Sequence, residues 1–452
     1  MRMNPRNVSG GHHDAGAKAD ALRVDRSVGG ATPSFRGAAL IALTLGMAGI
    51  AAGVLATPVA RADTTPIHLR AVFKSDAGRA ITISWSTAAA AADSVLRWRP
   101  VGGDAWQETR CQRTGEYYSG GLWFHHARLE GLEPGADYEA TATSDGVVSK
   151  AFRFATTPPA GQPFQLIAGG DSRSGVTHRR RMNGLIRRLV EQAPRQGRPP
   201  VVAFAHGGDF VNKGARLSQW WAWLDDYQLT TSGDRRRLLP IIPTRGNHDY
   251  GPVFNQVFDF PDDDANYYAT AIAPGVTLLT LNTETSTGGD QREWLAEQLA
   301  GLASAGVPWV LCQYHKPAYP AVKVPSGALT NWVPLFERHS VKLCLESDGH
   351  CIKRTPPLRA NKVDPTGVVY LGEGGLGVGQ RRPKTNRWYL QPPAVTGSDH
   401  HVHLLRFDGD RRRLVGRAIL EDGSTFDRFE LQATEPIEAT EPIEPPSVGA
   451  SG

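Results

Sequence analysis

Five short polar clusters lie along the chain, each at or near the end of an apolar run. They are GDSR (170–173), GDFVN (208–212), GNHD (246–249), YH (314–315) and DGH (348–350). Runs such as FQLIAG, VVAFAHG and VKLCLES have the length and composition of buried strands, whose ends can deliver side chains to one edge of a sheet. The delivered set is carboxylates, an amide and imidazoles, which suits divalent metal ions.

This set of side chains matches what a two-metal hydrolytic centre requires. One carboxylate bridges the ions, and imidazoles and an amide oxygen fill the sides, here from Asp171, Asp209, Asn247, His315 and His350. Two ions about 3.5–4 Å apart can clamp a phosphate and lower the pKa of a bound water from 15.7 to about 7. The clusters therefore predict hydrolysis of a phosphate ester, with a metal-bridging hydroxide as the nucleophile.

In order and composition the clusters resemble the motifs of the calcineurin-like metallophosphoesterases, and within them those of the purple acid phosphatases. The resemblance implies that Asp171 binds the first metal, that Asp209 bridges both, and that Asn247 and His315 bind the second. It also implies that His248 contacts the phosphate and protonates the leaving oxygen. The segments NYY (266–268) and DQREWL (290–295) are similar to family segments, and the whole resemblance spans residues 64–432.

Two positions depart from the family pattern. Arg173 stands where most metallophosphoesterases have a histidine ligand and purple acid phosphatases have glycine, and Asn212 stands where the purple branch has a tyrosine ligand. We therefore expect a more open first metal site and no tyrosinate-to-iron colour. Arg173 is expected to bind the substrate phosphate as a planar fork, with Asn212 and His248 beside it. A surface salt bridge is the alternative role for Arg173.

The last cluster can be aligned in two ways with the usual Gly-His-x-His motif. Alignment from Gly349 places Ile352 at the second histidine and loses a ligand, whereas alignment from the downstream Arg354 makes Asp348 and His350 the ligands. We prefer the second, because a carboxylate binds hard divalent metals well. The expected cofactors are two divalent or mixed-valence ions (Mn, Zn, Fe or Ca), and the added carboxylate favours Mn²⁺, Mg²⁺ or Ca²⁺.

The strand and helix pattern predicts two folded regions. Residues 64–157 contain short strands between Gly/Pro turns, which favours a β-sandwich. Their GLEPGADY turn (131–138) resembles that of fibronectin type III domains, and a sandwich before the catalytic domain is typical of the purple acid phosphatase branch. Residues 164–432 alternate strands and helices. The expected fold is α/β, an N-terminal β-sandwich followed by a four-layer α/β/β/α metallophosphoesterase domain.

Two smaller patterns lead to structural expectations. His125 and His126 are neighbours in a run that alternates inside and outside, so we expect at least one of them at the surface. The run GEGGLG (372–377) lacks the Gly-Lys-Ser/Thr ending of a P-loop and predicts a tight turn near the site instead.

Both ends of the chain differ in composition from the folded regions. Residues 1–62 combine a long basic stretch, an apolar run and a small-x-small site at 60–62, which predicts a signal peptide cleaved near Ala62. A transmembrane anchor is the alternative. Residues 433–452 repeat ATEPIE and predict a disordered tail. Export would permit disulfides, but four cysteines allow three pairings.

Composition is that of an ordinary globular protein, with 21% charged residues and a formal net charge of +5 over 452 residues. Much of the excess positive charge lies in short arginine runs and in residues 1–62, so we expect no nucleic-acid partner. The net positive charge does suit an anionic substrate. The leading expectation is an exported phosphomonoesterase without a membrane span after cleavage. The alternatives are a phosphodiesterase or nucleotide hydrolase at the same site, or a weakly active phosphate-binding or adhesion module. The sequence does not predict the oligomeric state.

Overall fold

A computed structural model describes residues 63–433, apart from Arg235 and Asp264. The predicted signal peptide (1–62) and the predicted tail beyond Ala433 lie outside the described residues. Within that part of the chain, every helix is too short or too polar to cross a bilayer. The four cysteines are free thiols, and Cys312 and Cys344 are buried on neighbouring strands in directly paired positions.

The N-terminal region consists of two antiparallel sheets packed face to face. Its strands are β1 (Ile67–Val72), β2 (Ile81–Thr87), β3 (Ser94–Pro100), β4 (Gln107–Arg110), β5 (Arg113–Glu116), β6 (Trp123–Leu129), β7 (Asp137–Ser144), β8 (Val147–Val148) and β9 (Phe152–Ala155). One layer has the order β1-β2-β6-β5, and the other has β4-β3-β7-β8 with β9 paired to β7. Strand β7 alternates buried and more exposed residues along its length, as expected for a sheet with one face on the core. The predicted β-sandwich is confirmed.

The second region contains the remaining strands and all the α-helices of the described chain. Its first sheet and covering helices are built from β10 (Phe164–Gly169), α1 (Val176–Arg195), β11 (Val201–His206), α2 (Leu217–Tyr227), β12 (Ile241–Pro243) and α3 (Val253–Phe258), and are completed by β22 (His401–Phe407), β23 (Arg413–Leu420) and β24 (Thr425–Gln432). Its second sheet and helices are β13 (Tyr268–Ala273), β14 (Val276–Thr280), α4 (Gly289–Ser304), β15 (Trp309–Gln313), α5 (Ala328–Asn331), α6 (Val333–Arg338), β16 (Leu343–Leu345), β17 (Ile352–Arg354), β20 (Val369–Gly372) and β21 (Val395–Gly397). A small hairpin, β18 (Leu358–Arg359) and β19 (Lys362–Val363), lies between β17 and β20.

The two sheets pack against each other and carry helices on their outer faces. The inner core joins residues such as Leu166 and Ala203 of the first sheet to Leu311 and Leu343 of the second. Separate buried clusters lie between the first sheet and helices α1, α2 and α3, and between the second sheet and helices α4, α5 and α6. This arrangement is the predicted four-layer α/β/β/α architecture.

A continuous ten-stranded sheet connects the two regions, in the order β24-β23-β22-β10-β11-β12-β1-β2-β6-β5. The junction is short, with β12 running parallel to β1 and Val72 opposite Ile241. The other sheet of the catalytic region has seven strands, in the order β13-β14-β15-β16-β20-β17-β21. The N-terminal sandwich therefore extends one of the two sheets that carry the polar clusters. The domain limits drawn from the sequence stay a prediction.

Both neighbouring histidines of β6 are buried, so the expectation of an exposed one is wrong. The ring of His125 stacks on Trp85 inside the sandwich, and its Nε2 lies 2.9 Å from the hydroxyl of Thr87. On the other face, the Nε2 of His126 lies 2.9 Å from the carbonyl oxygen of Gln256 in helix α3. Strand alternation fails to expose either ring because the catalytic region covers the outer face of this sheet.

We expect His125 to make the protein less stable in acid. Burial, with a smaller effect from nearby Arg70, lowers the pKa of His125 to about 4. Between about pH 6.5 and 4, His125 is therefore protonated in the unfolded chain but neutral in the folded protein. Stability is thus present above pH 6.5 and is lost as the pH falls towards 4. His125→Phe keeps a ring against Trp85 but has no group that titrates. When the pH falls from 7.5 to 5, its free energy of unfolding should decrease by roughly 1–2 kcal/mol less than that of the wild type. Urea unfolding at both pH values measures this, and equal pH dependence in the two proteins would refute it.

Candidate metal centre

The five polar clusters meet at one edge of the two packed sheets. Asp171, Asp209 and Asn247 follow the parallel strands β10, β11 and β12, and His315 and Asp348 follow β15 and β16. The carboxyl ends of parallel strands lie at the same edge, so the chain reversal after each strand leaves its polar residues there. The sequence expectation of a shared edge is therefore met by the positions of these residues.

The backbone at this edge adopts an unusual conformation. Asp171, Asp209, Asp348 and His350 have φ values of 60°, 58°, 67° and 60°, in the left-handed region that non-glycine residues rarely occupy. Such residues cost of order 1–3 kcal/mol each and concentrate at functional sites, where the surrounding structure holds them in place. Here the conformation turns each side chain back towards the edge of the sheet.

Four of the predicted ligands form a tight buried cluster. One ligand atom from each of Asp171, Asp209, His315 and Asp348 lies within 4.8 Å of all the others. The Nε2 atom of His315 is 3.3 Å from Asp209 Oδ1, 3.5 Å from Asp348 Oδ1 and 3.1 Å from the side-chain oxygen of Asn247. His315 Nε2 therefore lies within 3.5 Å of possible ligand atoms from three other clusters.

The remaining predicted ligand, His350, lies on the side of Asp171. Its Nε2 is 3.2 Å from Asp171 Oδ1, whose partner oxygen Oδ2 accepts the backbone N–H of Asp348 at 2.9 Å. Ile352, the ligand position in the other alignment, is instead a buried residue at the start of β17. The geometry therefore favours the pair Asp348 and His350.

Two buried polar atoms of the cluster fit a bound cation. Asp171 Oδ1 and His350 Nε2 are inaccessible to solvent and, although 3.2 Å apart, make no hydrogen bond to each other or to any other described group. Buried polar atoms are almost always paired, so two orphans facing each other indicate that an absent group binds there. Burial opposes ionisation of Asp209, but His315 and the backbone N–H of His248 hold its pKa well below its ordinary value. The residues present thus fit divalent metal ions, which carboxylates, amide oxygens and imidazoles bind.

The orientation of the ligands is fixed by neighbours outside the cluster. The Nδ1 of His315 lies 2.8 Å from the carbonyl oxygen of Gly207, which leaves Nε2 for the centre. The buried carboxylate of Asp249 accepts the backbone N–H groups of Asp209 at 2.7 Å and of Gly246 at 2.9 Å. Asp249 therefore ties the second and third clusters together. The sequence analysis did not identify this role, although the residue stands in the GNHD cluster.

Arg173 contacts the proposed bridging carboxylate directly. Its Nε donates to Asp209 Oδ2 at 3.0 Å, and its Nη1 donates to the side-chain oxygens of Asn212 at 3.1 Å and Ser174 at 3.0 Å. Within the described chain, Nη2 makes no hydrogen bond. The arginine is thus held beside the centre through Nε and Nη1, and its role in phosphate binding stays a prediction.

His248 is positioned at the open side of the centre. Its backbone N–H donates to Asp209 Oδ1 at 2.9 Å, and its Nδ1 lies 2.9 Å from the backbone oxygen of Asn212. This second contact directs Nε2 towards the centre, where it lies 4.0 Å from Asp209 Oδ2. The side chain is 29% exposed, so a bound ester can reach it.

Two further groups lie beside the cluster. Lys323 forms an ion pair with the carboxylate of Asp348 from a loop between β15 and α5, which offsets the extra negative charge that the sequence predicts. Gly374, from the glycine-rich run, lies so close to Asp171 that a Cβ atom would be 1.8 Å from Oδ2. This contact places the glycine-rich run beside the site, as expected, and the prediction of a tight turn there stays a prediction.

Comparisons with known proteins agree with this architecture. Residues 66–156 match the family model of the purple acid phosphatase N-terminal domain, and residues 178–351 match that of calcineurin-like phosphoesterases. An uncharacterized protein of Mycobacterium tuberculosis is 24% identical over 424 residues, covering 79% of this chain and 76% of its own. Purple acid phosphatase 21 of Arabidopsis thaliana is 24% identical over 288 residues, covering 57% of this chain and 60% of its own.

The fold is similar to that of a solved enzyme. A purple acid phosphatase from yellow lupin (Lupinus luteus) seeds superposes with a TM-score of 0.67 at 16% identity, covering 82% of this chain and 74% of the lupin chain. The two matched domains follow one another in the chain, and a cluster of residues that could hold a metal ion lies at the sheet edge of the second region. The chain is a calcineurin-like metallophosphoesterase of the purple acid phosphatase-like type, and hence a phosphoric ester hydrolase.

Proposed function

We propose that this protein is an exported, metal-dependent phosphomonoesterase. The observation that carries the proposal is the position of His248, with Nε2 directed over the cluster of carboxylates and imidazoles and open to solvent. The proposal of export rests on residues 1–62 alone. The near-complete set of ligand types argues against the binding-module alternative.

The chain would hold two metal ions through Asp171, Asp209, Asn247, His315, Asp348 and His350. When bound, the ions supply positive charge to the phosphate and a water molecule of lowered pKa as the nucleophile. His248 then donates a proton from Nε2 to the leaving alcohol oxygen. Arg173, fixed by Asp209 and Asn212, offers its free Nη2 to a phosphate oxygen.

The test is hydrolysis of p-nitrophenyl phosphate and bis-p-nitrophenyl phosphate by chelator-stripped protein loaded in turn with Mn²⁺, Zn²⁺, iron or Ca²⁺. We expect the stripped protein to be inactive and at least one metal to restore turnover, with the monoester preferred. Preference for the diester would replace the proposal with a phosphodiesterase. Inactivity with every metal, in protein that binds phosphate, would support a binding module instead.

His248→Ala should impair poor leaving groups more than good ones. General acid catalysis contributes roughly 10²–10⁴-fold, and an alkoxide needs the proton far more than p-nitrophenolate does. We expect kcat on glycerol 2-phosphate to fall about 100-fold and kcat on p-nitrophenyl phosphate to fall much less. Steady-state kinetics on both esters at equal metal content measure this ratio. Equal losses on the two esters would show that His248 positions substrate without donating a proton.

A further inference from the structure

A cleft of about 490 Å³ opens directly beside the metal centre. Gly246 and Asn247 of the third polar cluster line it, and so does Tyr250, which is 49% exposed. One wall comes from the segment after α3, including Asp262 and Asp263. A phosphate held at the centre would therefore have the rest of its ester directed along this cleft.

Carboxylates dominate the charged groups of the cleft. Asp262, Asp263 and Glu284 line it, and Arg245 is the one cation among its described lining residues. Arg245 is buried, and its guanidinium donates to the carbonyl oxygens of Asp249 and Gly251 and to the side chain of Asn266. Each of its three guanidinium nitrogens thus donates to an oxygen of the protein, so Arg245 is not a free cation for a ligand.

The two aspartates present acceptor oxygens to the cleft. Asp263 is exposed, and its Oδ1 accepts the backbone N–H of Ala265 at 3.0 Å, which leaves Oδ2 for a ligand. Asp262 accepts Arg113 Nη2 at Oδ1, and its side chain is 73% exposed. Glu284, by contrast, is only 16% exposed and pairs with Lys316. The cleft therefore offers hydrogen-bond acceptors and negative charge at its outer wall.

This wall is held in place by the N-terminal sandwich. Arg113 of β5 donates to the carbonyl oxygen of Phe260 as well as to Asp262. Arg128 of β6 donates to both carboxylate oxygens of Asp259, at 2.6 and 2.7 Å. A bidentate arginine–carboxylate pair gives fixed geometry, so the acidic wall is preorganised before a ligand arrives.

We propose that this cleft binds the leaving group and selects phosphomonoesters whose alcohol carries hydroxyl or ammonium groups and no second anion. This inference rests on the proposed function. Hydroxyl and ammonium groups can donate to Asp262 and Asp263, while a second carboxylate or phosphate would face like charge, with no free cation among the described residues that line the cleft. Discrimination of this kind comes from the repulsive element as much as from the attractive one.

The experiment compares three aliphatic esters on the metal-loaded enzyme. Glycerol 2-phosphate and 2-phosphoglycerate differ only in a hydroxymethyl group against a carboxylate, and phosphoethanolamine carries an ammonium group. We expect kcat/KM for glycerol 2-phosphate and phosphoethanolamine to exceed that for 2-phosphoglycerate by roughly tenfold. The ratio should shrink in high salt, because exposed charges are screened. Equal values, or a preference for 2-phosphoglycerate, would overturn the inference.

A pair of variants assigns the effect to the cleft. Asp263→Asn keeps the acceptor for Ala265 and removes the charge, and should reduce the tenfold ratio by about two- to fivefold. Asp422→Asn removes the same charge from a similar turn, where Oδ1 accepts the N–H of Ser424 between β23 and β24, and should leave the ratio unchanged. An equal change in both variants, or none in Asp263→Asn, would contradict the assignment.

Failure of the proposed function and failure of cleft selectivity give different results. If p-nitrophenyl phosphate is not hydrolysed with any metal, the proposed function fails and the inference fails with it. If p-nitrophenyl phosphate is hydrolysed and the three aliphatic esters are not discriminated, the inference fails and the proposed function stands.

Discussion

Asp209→Asn should abolish hydrolysis while the protein stays folded. The Asp209 carboxylate lies 3.3 Å from His315, accepts the backbone N–H of His248 and accepts Arg173 Nε. The amide has nearly the same shape, but it carries no charge, and its NH₂ group would face donors where the carboxylate offered acceptors. Since loss of a residue that only supports a metal ligand typically costs 10–100-fold in metal affinity or activity, loss of the proposed bridging ligand itself should lower kcat/KM at least about 1,000-fold.

The measurement is kcat/KM on p-nitrophenyl phosphate together with the metal content per chain and the far-ultraviolet circular dichroism spectrum. We expect an unchanged spectrum and a reduced metal content, because the proposed bridging ligand has lost its charge. Asp422→Asn is the matched control for loss of one carboxylate and should keep full activity. Activity within tenfold of the wild type in Asp209→Asn would remove this residue from the centre of the mechanism.

The position of the candidate centre could be predicted because it depends on local signals. Each ligand-bearing cluster follows an apolar run, and strand ends at one sheet edge bring distant clusters together without any knowledge of the loops. Asp171, Asp209, Asn247 and His315 meet for this reason. Their individual roles as ligands remain predictions.

The contacts that surround the centre could not be predicted from local sequence signals. Lys323 reaches Asp348 from an irregular loop, and the engagement of Arg173 with Asp209 depends on a side-chain direction that spacing does not encode. The junction of β1 with β12 joins residues far apart in sequence through one short pairing. The same packing covers the outer face of β6, which is why strand alternation misplaced His126.

A buried triad of charged residues also could not be predicted from the sequence. Lys353 follows Ile352 in β17, and a lysine is almost never fully buried unless it is paired. Its ammonium group, inaccessible to solvent, forms ion pairs with Glu346 and with Glu373 at 2.7 Å, and it donates to the carbonyl oxygen of Tyr319 at 2.8 Å. Both glutamates are also fully buried.

The triad connects the loops that carry two predicted ligands. Glu346 accepts the Tyr314 hydroxyl at 2.7 Å and the backbone N–H of Ala318 at 2.6 Å, on either side of His315. The backbone oxygen of Glu373 accepts the N–H of His350 at 2.7 Å. The buried ion pairs are thus linked by hydrogen bonds to the segments that carry both histidines.

Lys353→Met should therefore be among the most destabilising single substitutions in this protein. Removing one member of a buried ion pair leaves uncompensated charge and costs about 3–5 kcal/mol. We expect a loss of this size in the free energy of unfolding, measured with urea at pH 7. Hydrolysis should also be reduced, because the two loops are displaced.

Glu373→Gln should cost much less, because burial raises the pKa of Glu373 to about 7 and the amide resembles its protonated form. The double variant should recover part of the stability that Lys353→Met loses, since it buries one negative charge fewer. A loss below about 1 kcal/mol in Lys353→Met would mean that the glutamates take up protons at little cost, so that the triad does not hold the two loops by charge.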